Sequence, residues 1–268
     1  MPVTNYIAPE NYAVPSLRGA FERASPTTWR NAPGHEVLCD HELFPGCGYA
    51  TEGEARLLYR IAAASMRERD DRIIEIGSHT GWTGAHLLAG ALSVNRTASY
   101  IGLDPEYRQA THNHTHDPTL FLQRTVDNFR RAGEVLRRPL LDLASFSGRG
   151  SDEFIPSAAR HDERYRLAFI DGDHSPGLPL RDAKLALSVA DGDCVIAFHD
   201  TIGDSVQEAL KFLIVQGFNA RVYRTPQFVS VAWRGDFTMP SHTPDPYFDW
   251  RAWMEQLSRS VDLFELSK

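Results

Sequence analysis

Cysteine is scarce in this chain of 268 residues, and the three cysteines, Cys39, Cys47 and Cys194, include no closely spaced pair. This scarcity argues against a disulfide framework and against a structural zinc site. Apolar runs long enough to cross a bilayer are also missing, and the first residues lack the basic and apolar segments of a secretion signal. We therefore expect a cytoplasmic protein that makes no membrane contact.

Positive charge is in the minority. Lys and Arg number 28 against 35 Asp and Glu, which gives a formal net charge of -7. Such a charge opposes binding to a polyanion unless the basic residues cluster. The pairs Arg130-Arg131 and Arg137-Arg138 lie on one predicted helix, where a solvated helix face is the better interpretation. The sequence therefore predicts a protein that does not bind nucleic acid.

The length fits one large α/β domain with terminal additions better than two full domains. Residues 1–50 are rich in Pro, Gly, Asn and aromatic residues without a sustained period, which predicts an irregular N-terminal arm. The predicted domain covers residues 51–235, and residues 236–268 form a C-terminal tail. The aromatic residues of this tail favour packing on the core or on another subunit over contact with the substrate, which is consistent with a homo-oligomer.

Short apolar runs alternate with helical patterns from residue 51 onward. Thr51 to Glu54 match a capping box at the start of a helix. Later helices are predicted beyond residue 84 and over 120–138, 180–189 and 206–214. The strands are predicted over 72–77, 99–104, 140–144, 166–171 and 194–199. This alternation predicts a parallel sheet with helices on both faces.

The end of the domain has a different pattern. The apolar runs 220–224 and 228–233 are separated by only three residues, too few for a crossover helix, so the two runs should pair as a hairpin. One of these strands must then run antiparallel. The sequence therefore predicts an α/β, doubly wound, Rossmann-like fold with a seven-stranded, mostly parallel sheet and an antiparallel C-terminal hairpin strand.

Polar residues follow the first two predicted strands, at the edge where open α/β sheets bind their ligands. The first strand runs into Glu75-x-Gly77-x-x-x-Gly81. A dinucleotide fingerprint would place a second glycine at the position of His79, so the spacing differs from that motif. The second strand ends in Asp104, whose carboxylate could accept hydrogen bonds from both hydroxyls of a ribose.

This arrangement resembles the cofactor site of class I S-adenosylmethionine-dependent methyltransferases. Asp104 alone would suit NAD equally well, and the glycine spacing decides the choice. The stretch 148–153 also resembles the segment that borders the adenine in this group, although a plain surface turn is nearly as good an interpretation. The resemblance implies the following cofactor-binding residues: Glu75, Gly77, Ser78, Gly81, Trp82, Asp104, Ser151 and Asp171.

Two further segments, Ile170-Asp171-Gly-Asp173-His174 and His199-Asp200, follow the fourth and fifth predicted strands. Three carboxylates and two histidines meeting at one rim indicate function rather than stability. The segments resemble those of bacterial small-molecule O-methyltransferases with an Ile-Asp-Gly-Asp-His motif, and the resemblance covers about residues 51–235. It implies methyl transfer to a hydroxyl group of a small-molecule acceptor.

In metal-dependent members of this group, the matching positions hold a divalent cation. The resemblance therefore implies Asp171, His199 and Asp200 as metal ligands. Those relatives usually have a carboxylate or an amide where this chain has His199. Imidazole suits Mn²⁺, Zn²⁺ or iron better than Mg²⁺, which prefers oxygen ligands. A purely hydrogen-bonding role for His199 is an equal alternative.

Methyl transfer requires an acceptor oxygen in line with the sulfonium methyl and relieved of its proton. A bound cation would act as a Lewis acid and lower the pKa of the hydroxyl. By the resemblance, Asp173 is the preferred base, because a related subgroup uses the acid two residues after the first ligand. Without a metal, His174 becomes the better candidate, since the reference pKa of an imidazole, about 6.5, suits proton transfer near neutrality.

Two other functions stay open at this point. An NAD-dependent oxidoreductase is disfavoured by the missing second glycine and by the lack of a Tyr-x-x-x-Lys pair. A non-catalytic subunit would bind the cofactor but would be unaffected by replacement of Asp173 or Asp200. The histidines at 112–116 are better explained as a loop than as a metal site, and His35, Cys39 and His41 in the arm either pack or approach the substrate.

Overall fold

The computed structural model describes residues 50, 52–67, 70–109, 117–223, 225 and 227–241. The predicted N-terminal arm up to residue 49, the histidines of 112–116 and the tail beyond residue 241 lie outside the described residues. None of the described helices combines the length and the apolar content that a membrane crossing requires.

Helices and strands alternate along the described chain. The helices are α1 (Glu52–Ser65), α2 (Trp82–Val94), α3 (Pro118–Leu136), α4 (Ser151–Arg160), α5 (Leu178–Ser188) and α6 (Asp204–Val215). The strands are β1 (Arg72–Ile76), β2 (Ser99–Leu103), β3 (Ala144–Ser147), β4 (Tyr165–Ile170), β5 (Ala190–Phe198), β6 (Asn219–Val222) and β7 (Ser230–Arg234). Short 3₁₀ turns cover Pro105–Tyr107 and Leu141–Leu143.

The described strands form a seven-stranded sheet in the order β3-β2-β1-β4-β5-β7-β6. The pairs from β3 through β5 are parallel, whereas β7 runs antiparallel to both β5 and β6. The predicted α/β class, the mostly parallel sheet and the antiparallel hairpin strand are therefore confirmed. The chain order reverses between β1 and β4, and this switch point places the carboxyl ends of β1 and β4 side by side.

The predicted position of the third strand is wrong. The run 140–144 was expected to be a strand, but Leu141–Leu143 form a 3₁₀ turn and β3 begins only at Ala144. The turn forms because Pro139 and Leu140 accept hydrogen bonds from the amides of Asp142 and Leu143. The leucines of this turn pack against the core from a helical turn, which an apolar run alone does not distinguish from a strand.

Two apolar layers enclose the sheet. Alternate residues of each strand face opposite layers, so Ile73 belongs to the layer under α1, α2 and α3, and Ile74 to the layer under α4, α5 and α6. Every residue of β4 is buried, as expected for a parallel strand that is covered on both faces. These layers fix the strand ends at which the site is built.

Helices α1 and α2 approach each other unusually closely. A Cβ atom added at Gly90 would lie 2.0 Å from the carbonyl oxygen of Tyr59, so no larger residue fits without moving the two backbones. The residues of α1 from Ala55 to Ala62 that face α2 are almost fully buried. The N-terminal turn of α1, which reaches the rim of the sheet, is therefore held in a fixed position.

Candidate active site

A cavity of about 710 Å³ lies beyond the carboxyl ends of β1, β2, β4 and β5. Its volume is within the range of small-molecule binding sites. The cavity wall includes the predicted site residues Gly77, Ser78, Trp82, Asp104, Ser151, Asp171, Asp173, His174, His199 and Asp200. Glu75 and Gly81 lie behind this wall. Strand ends that are far apart in the sequence thus converge on one space.

The turn after β1 presses against the end of β4. Gly77 adopts a positive φ of 84°, and a Cβ atom there would lie 2.1 Å from the carbonyl oxygen of Asp171. Glycine is required at this position both for the backbone conformation and for the close approach. His79, at the place of the second fingerprint glycine, also has a positive φ, of 42°. The hydroxyl of Tyr107 donates a 2.6 Å hydrogen bond to the carbonyl oxygen of His79 and holds this conformation.

Asp104 is fixed at the end of β2 by two backbone amides. Its Oδ2 accepts a 2.7 Å hydrogen bond from the amide of His79, and its Oδ1 accepts a 3.0 Å bond from the amide of Glu106. The carboxylate is buried and lies in the cavity wall. A carboxylate oxygen can accept more than one hydrogen bond, so this group can also receive hydroxyl groups of a ligand.

Ser151 begins α4 on the far side of Asp104. Its hydroxyl donates a 2.6 Å hydrogen bond to Asp182 Oδ1 on α5. Burial raises the pKa of Asp182, and this hydrogen bond partly opposes that rise. Ser151 therefore ties α4 to α5 at the same time as it lines the cavity.

Glu75 and Gly81 support the glycine turn from beneath. Glu75 is fully buried and accepts hydrogen bonds from the Thr83 hydroxyl at 2.5 Å and from the Tyr100 hydroxyl. Thr83 lines the cavity, so Glu75 is linked to the cavity through that side chain. A Cβ atom at Gly81 would lie 2.7 Å from the ring of Phe129, so glycine allows α3 to pack against the turn.

Replacing Glu75 with glutamine should remove a pH dependence of stability. Burial raises the pKa of Glu75 from 4.5 to about 8, even though the hydrogen bonds from Thr83 and Tyr100 oppose the rise. The stability that the protonated form provides is complete below pH 4.5 and is lost as the pH rises through about 8. We expect the unfolding free energy of wild type, relative to the variant, to fall by about 1.4 kcal/mol for each pH unit in that window.

Urea denaturation at several pH values measures this difference. The exposed Glu208 on α6 provides a matched control, because Glu208→Gln makes the same chemical change on a solvated surface. A difference between wild type and Glu75→Gln that does not vary with pH would contradict the expectation.

Four side chains converge at the ends of β4 and β5. His199 Nδ1 lies 2.9 Å from Asp200 Oδ2 and 3.4 Å from Asp171 Oδ1. His174 lies above them, with Nε2 at 3.7 Å from Asp171 Oδ1 and Nδ1 at 3.6 Å from Asp200 Oδ2. His199 is almost completely buried, whereas the side chain of His174 is 38% exposed. The two imidazoles thus contact the same carboxylates from opposite sides. His199 lies on the buried side, and His174 lies on the side of the cavity.

Glu54 is a member of this cluster that sequence reasoning missed. The sequence pattern placed it in a capping box, but its fully buried carboxylate contacts residues far along the chain. Its Oε2 lies 3.4 Å from His199 Nε2, and its Oε1 accepts a 2.7 Å hydrogen bond from the amide of Gln227. Burial alone would lower the pKa of His199, but Asp171 and Glu54 raise it well above its usual value.

Asp173 and His174 differ in their suitability as a base. The side chain of Asp173 is exposed, and its Oδ1 accepts a 2.8 Å hydrogen bond from the amide of Ser175. Hydrogen bonds from Ser175 lower the pKa of Asp173, which makes its carboxylate a weaker base. His174 points between Asp171 and Asp200 and is better placed for proton transfer in the cavity.

The rim also fits a divalent cation. Among the described residues, Asp171, His174 and Asp200 present potential ligand atoms that all lie within 4.8 Å of one another. Two carboxylates and one imidazole suit Mn²⁺, Zn²⁺ or iron as well as Mg²⁺. The geometric set contains His174 where the sequence resemblance placed His199, whose Nδ1 lies on the buried side of the same two carboxylates.

Comparison with known protein families shows which kind of domain the middle of the chain resembles. Residues 74–201, which include the glycine turn, Asp104 and the rim side chains Asp171, His174, His199 and Asp200, match a family described as a methyltransferase domain. This match identifies residues 74–201 as a methyltransferase domain. Comparison of the methyltransferase with curated proteins found no significant match.

The fold of the methyltransferase is similar to that of solved O-methyltransferases. One is TomG from Streptomyces achromogenes, solved in complex with SAM, with 15% identity, a TM-score of 0.53, and coverage of 78% of this chain and 90% of that chain. Another is an O-methyltransferase from Bacillus cereus in complex with SAH, with 14% identity, a TM-score of 0.52, and coverage of 81% of this chain and 96% of that chain. At these identities the similarity concerns the fold.

Proposed function

We propose that this methyltransferase transfers the methyl group of S-adenosylmethionine to a hydroxyl group of a small molecule. The observation that carries the proposal is the arrangement of the cavity: Asp104 lies in the wall at the end of β2, and the imidazole of His174 lies over Asp171 and Asp200 at the ends of β4 and β5. The proposed cofactor-binding residues and the acid-base cluster therefore line the same cavity.

The residues at the β1 and β2 ends fit the cofactor. Asp104 would hold the two ribose hydroxyls, because its orientation is already fixed by two backbone amides. Gly77 and Ser78 would face the amino-acid end, and Ser151 would border the adenine. The cofactor supplies the methyl group on its sulfonium, which makes the acceptor oxygen the only atom that must be activated by the protein.

His174 is the base in this proposal. Its imidazole is accessible from the cavity, and Asp171 and Asp200 lie 3.7 and 3.6 Å from its two ring nitrogens. One nitrogen takes the proton of the acceptor hydroxyl while the carboxylates stabilise the positive charge that forms on the ring. The acceptor oxygen is then ready for in-line attack on the methyl group.

Asp171, His174 and Asp200 would also be the residues that hold a divalent cation. When bound, such a cation would act as a Lewis acid on the acceptor hydroxyl. We therefore include the effect of Mn²⁺, Mg²⁺ and a chelator in the test of function.

The acceptor is proposed to be a small molecule rather than a nucleic acid. The chain has a formal net charge of -7, and carboxylates such as Asp104, Asp171 and Asp200 line the cavity, where they repel phosphate groups. The cytoplasmic location and the homo-oligomer stay predictions from the sequence.

The proposal is tested in two steps. Calorimetric titration with S-adenosylmethionine, S-adenosylhomocysteine and NAD should show binding of the first two and none of NAD. Release of S-adenosylhomocysteine is then measured with a panel of sugars, phenols and polyketides and with matched amines and thiols, each with Mn²⁺, with Mg²⁺ and with a chelator. Turnover with hydroxyl acceptors is the expected result. Turnover restricted to amines or thiols would contradict O-methylation, and cofactor binding without any turnover would favour a non-catalytic subunit.

A further inference from the structure

Glu54 places a buried carboxylate directly behind the rim cluster. It lies in the first turn of α1, is fully buried and is not part of the cavity wall. Because Gly90 lets α1 pack closely on α2, this turn has a fixed position relative to the sheet. A carboxylate is costly to bury unless it is paired and hydrogen-bonded, so the contacts of Glu54 decide what it contributes here.

The two carboxylate oxygens of Glu54 contact different parts of the site. Oε1 accepts a 2.7 Å hydrogen bond from the amide of Gln227, a residue that lines the cavity. Oε2 lies 3.4 Å from His199 Nε2. One side chain thereby links α1, the connection between β6 and β7, and the end of β5.

His199 spans the distance between Glu54 and the rim. With Nε2 next to Glu54, its Nδ1 lies 2.9 Å from Asp200 Oδ2 and 3.4 Å from Asp171 Oδ1. A ring rotated by half a turn would place carbon atoms where these nitrogens meet carboxylates. The two sets of carboxylates therefore fix the ring of His199 so that Nε2 faces Glu54 on α1 and Nδ1 faces the rim.

We propose that Glu54 is a positioning residue for the acceptor site. It acts through His199, whose Nδ1 holds Asp171 and Asp200 in the orientation that His174 and the acceptor hydroxyl require. The proposal rests on the proposed function for its effect on methyl transfer, but the link between Glu54 and His199 can be tested without an acceptor. Replacing a buried group that orients a site histidine from behind commonly changes activity by about 10–100-fold.

The variant Glu54→Gln tests this link. The amide oxygen of glutamine can still accept the hydrogen bond from Gln227, but the amide nitrogen that replaces Oε2 is a donor. His199 Nε2 must then accept and gives up its proton, while Nδ1 keeps the proton that faces the carboxylate of Asp200. In ¹⁵N NMR spectra of the histidine rings, the Nε2 resonance of His199 should move from the range of a protonated nitrogen to that of an unprotonated nitrogen.

Glu208→Gln is the matched control and should leave the His199 ring resonances unchanged, since Glu208 lies on the exposed face of α6. Urea denaturation of both variants verifies that the spectra are those of folded protein. An Nε2 resonance of His199 that stays in place in folded Glu54→Gln would overturn the proposal, whatever the acceptor proves to be.

The catalytic consequence is measured with the hydroxyl acceptor found in the functional screen. Glu54→Gln should lower kcat by about 10–100-fold and leave the Kd for S-adenosylhomocysteine unchanged, because Glu54 is remote from the cofactor half. A wild-type kcat would overturn the positioning role. Absence of turnover in the wild type would count against the proposed function alone, because the NMR result decides the link between Glu54 and His199.

Discussion

Replacing Asp104 with asparagine should weaken the binding of S-adenosylmethionine and S-adenosylhomocysteine about tenfold to a hundredfold. The carboxylate accepts hydrogen bonds from the amides of His79 and Glu106 and would accept two more from the ribose. Asparagine offers one acceptor oxygen, and its amide nitrogen would face one of the two backbone donors. Both the ribose contact and the geometry of the glycine turn would therefore suffer.

Calorimetric titration with S-adenosylhomocysteine gives the Kd of wild type and variant, and thermal unfolding of the free proteins separates lost affinity from lost stability. Asp162→Asn is a suitable control, since Asp162 is not among the residues of the cavity wall and its side chain is 85% exposed. A Kd for Asp104→Asn within about twofold of wild type would remove Asp104 from the cofactor site.

Replacing His174 with alanine should lower kcat by about 10²–10⁴-fold, the usual contribution of a general base. Replacing Asp173 with asparagine should change kcat only a few-fold at most. The reason is that Asp173 is exposed and its pKa is lowered by hydrogen bonds from Ser175, whereas His174 faces Asp171 and Asp200. Release of S-adenosylhomocysteine at saturating acceptor measures both values.

Excess Mn²⁺ distinguishes the two possible roles of His174. If the imidazole acts as the base, added cation leaves His174→Ala inactive. Recovery of activity at high Mn²⁺ would instead assign His174 as a ligand of the cation, because a weakened metal site can be saturated by mass action. A larger loss for Asp173→Asn than for His174→Ala would reverse the assignment and agree with the expectation from sequence resemblance.

Much of the sheet could be predicted because parallel strands are buried on both faces. Residues of β4 are all buried, so an uninterrupted apolar run marks this strand in the sequence. Strand β3 lacks this signal, since it is four residues long and only partly buried at the edge of the sheet. The hairpin of β6 and β7 followed from the short connection, but the insertion of β7 next to β5 depends on pairing between distant segments.

The candidate site was predictable wherever its residues directly follow strands, because the carboxyl ends of parallel strands share one edge. Glu75 departs from this rule. Its neighbours Ile74 and Ile76 face one layer of the core, so strand alternation turns Glu75 into the opposite layer, toward Thr83 and Tyr100. The alternation was present in the sequence and could have shown that Glu75 lies behind the cavity wall.

Two other features depend on three-dimensional contacts that spacing does not encode. Glu54 precedes its partner His199 by well over a hundred residues. The helical spacing of the residues around Glu54 predicts only contacts within and beside α1. The different suitability of Asp173 and His174 as a base follows from the turn in which the Asp173 carboxylate accepts a hydrogen bond from the amide of Ser175. The sequence alone does not show which of two neighbouring residues in a motif is the better base, because the conformation of the turn decides it.

The place of β7 in the sheet has a consequence for synthesis of the chain on the ribosome. Its position between β5 and β6 means that residues 230–234 enter the sheet after both neighbours have been made. For a few seconds, at roughly 5–20 residues per second, the apolar edge of β5 from Cys194 to Phe198 lacks its partner. An open apolar edge is a template for aggregation. A truncated chain that ends before residue 230 therefore exposes β5, which is an interior strand of the complete sheet.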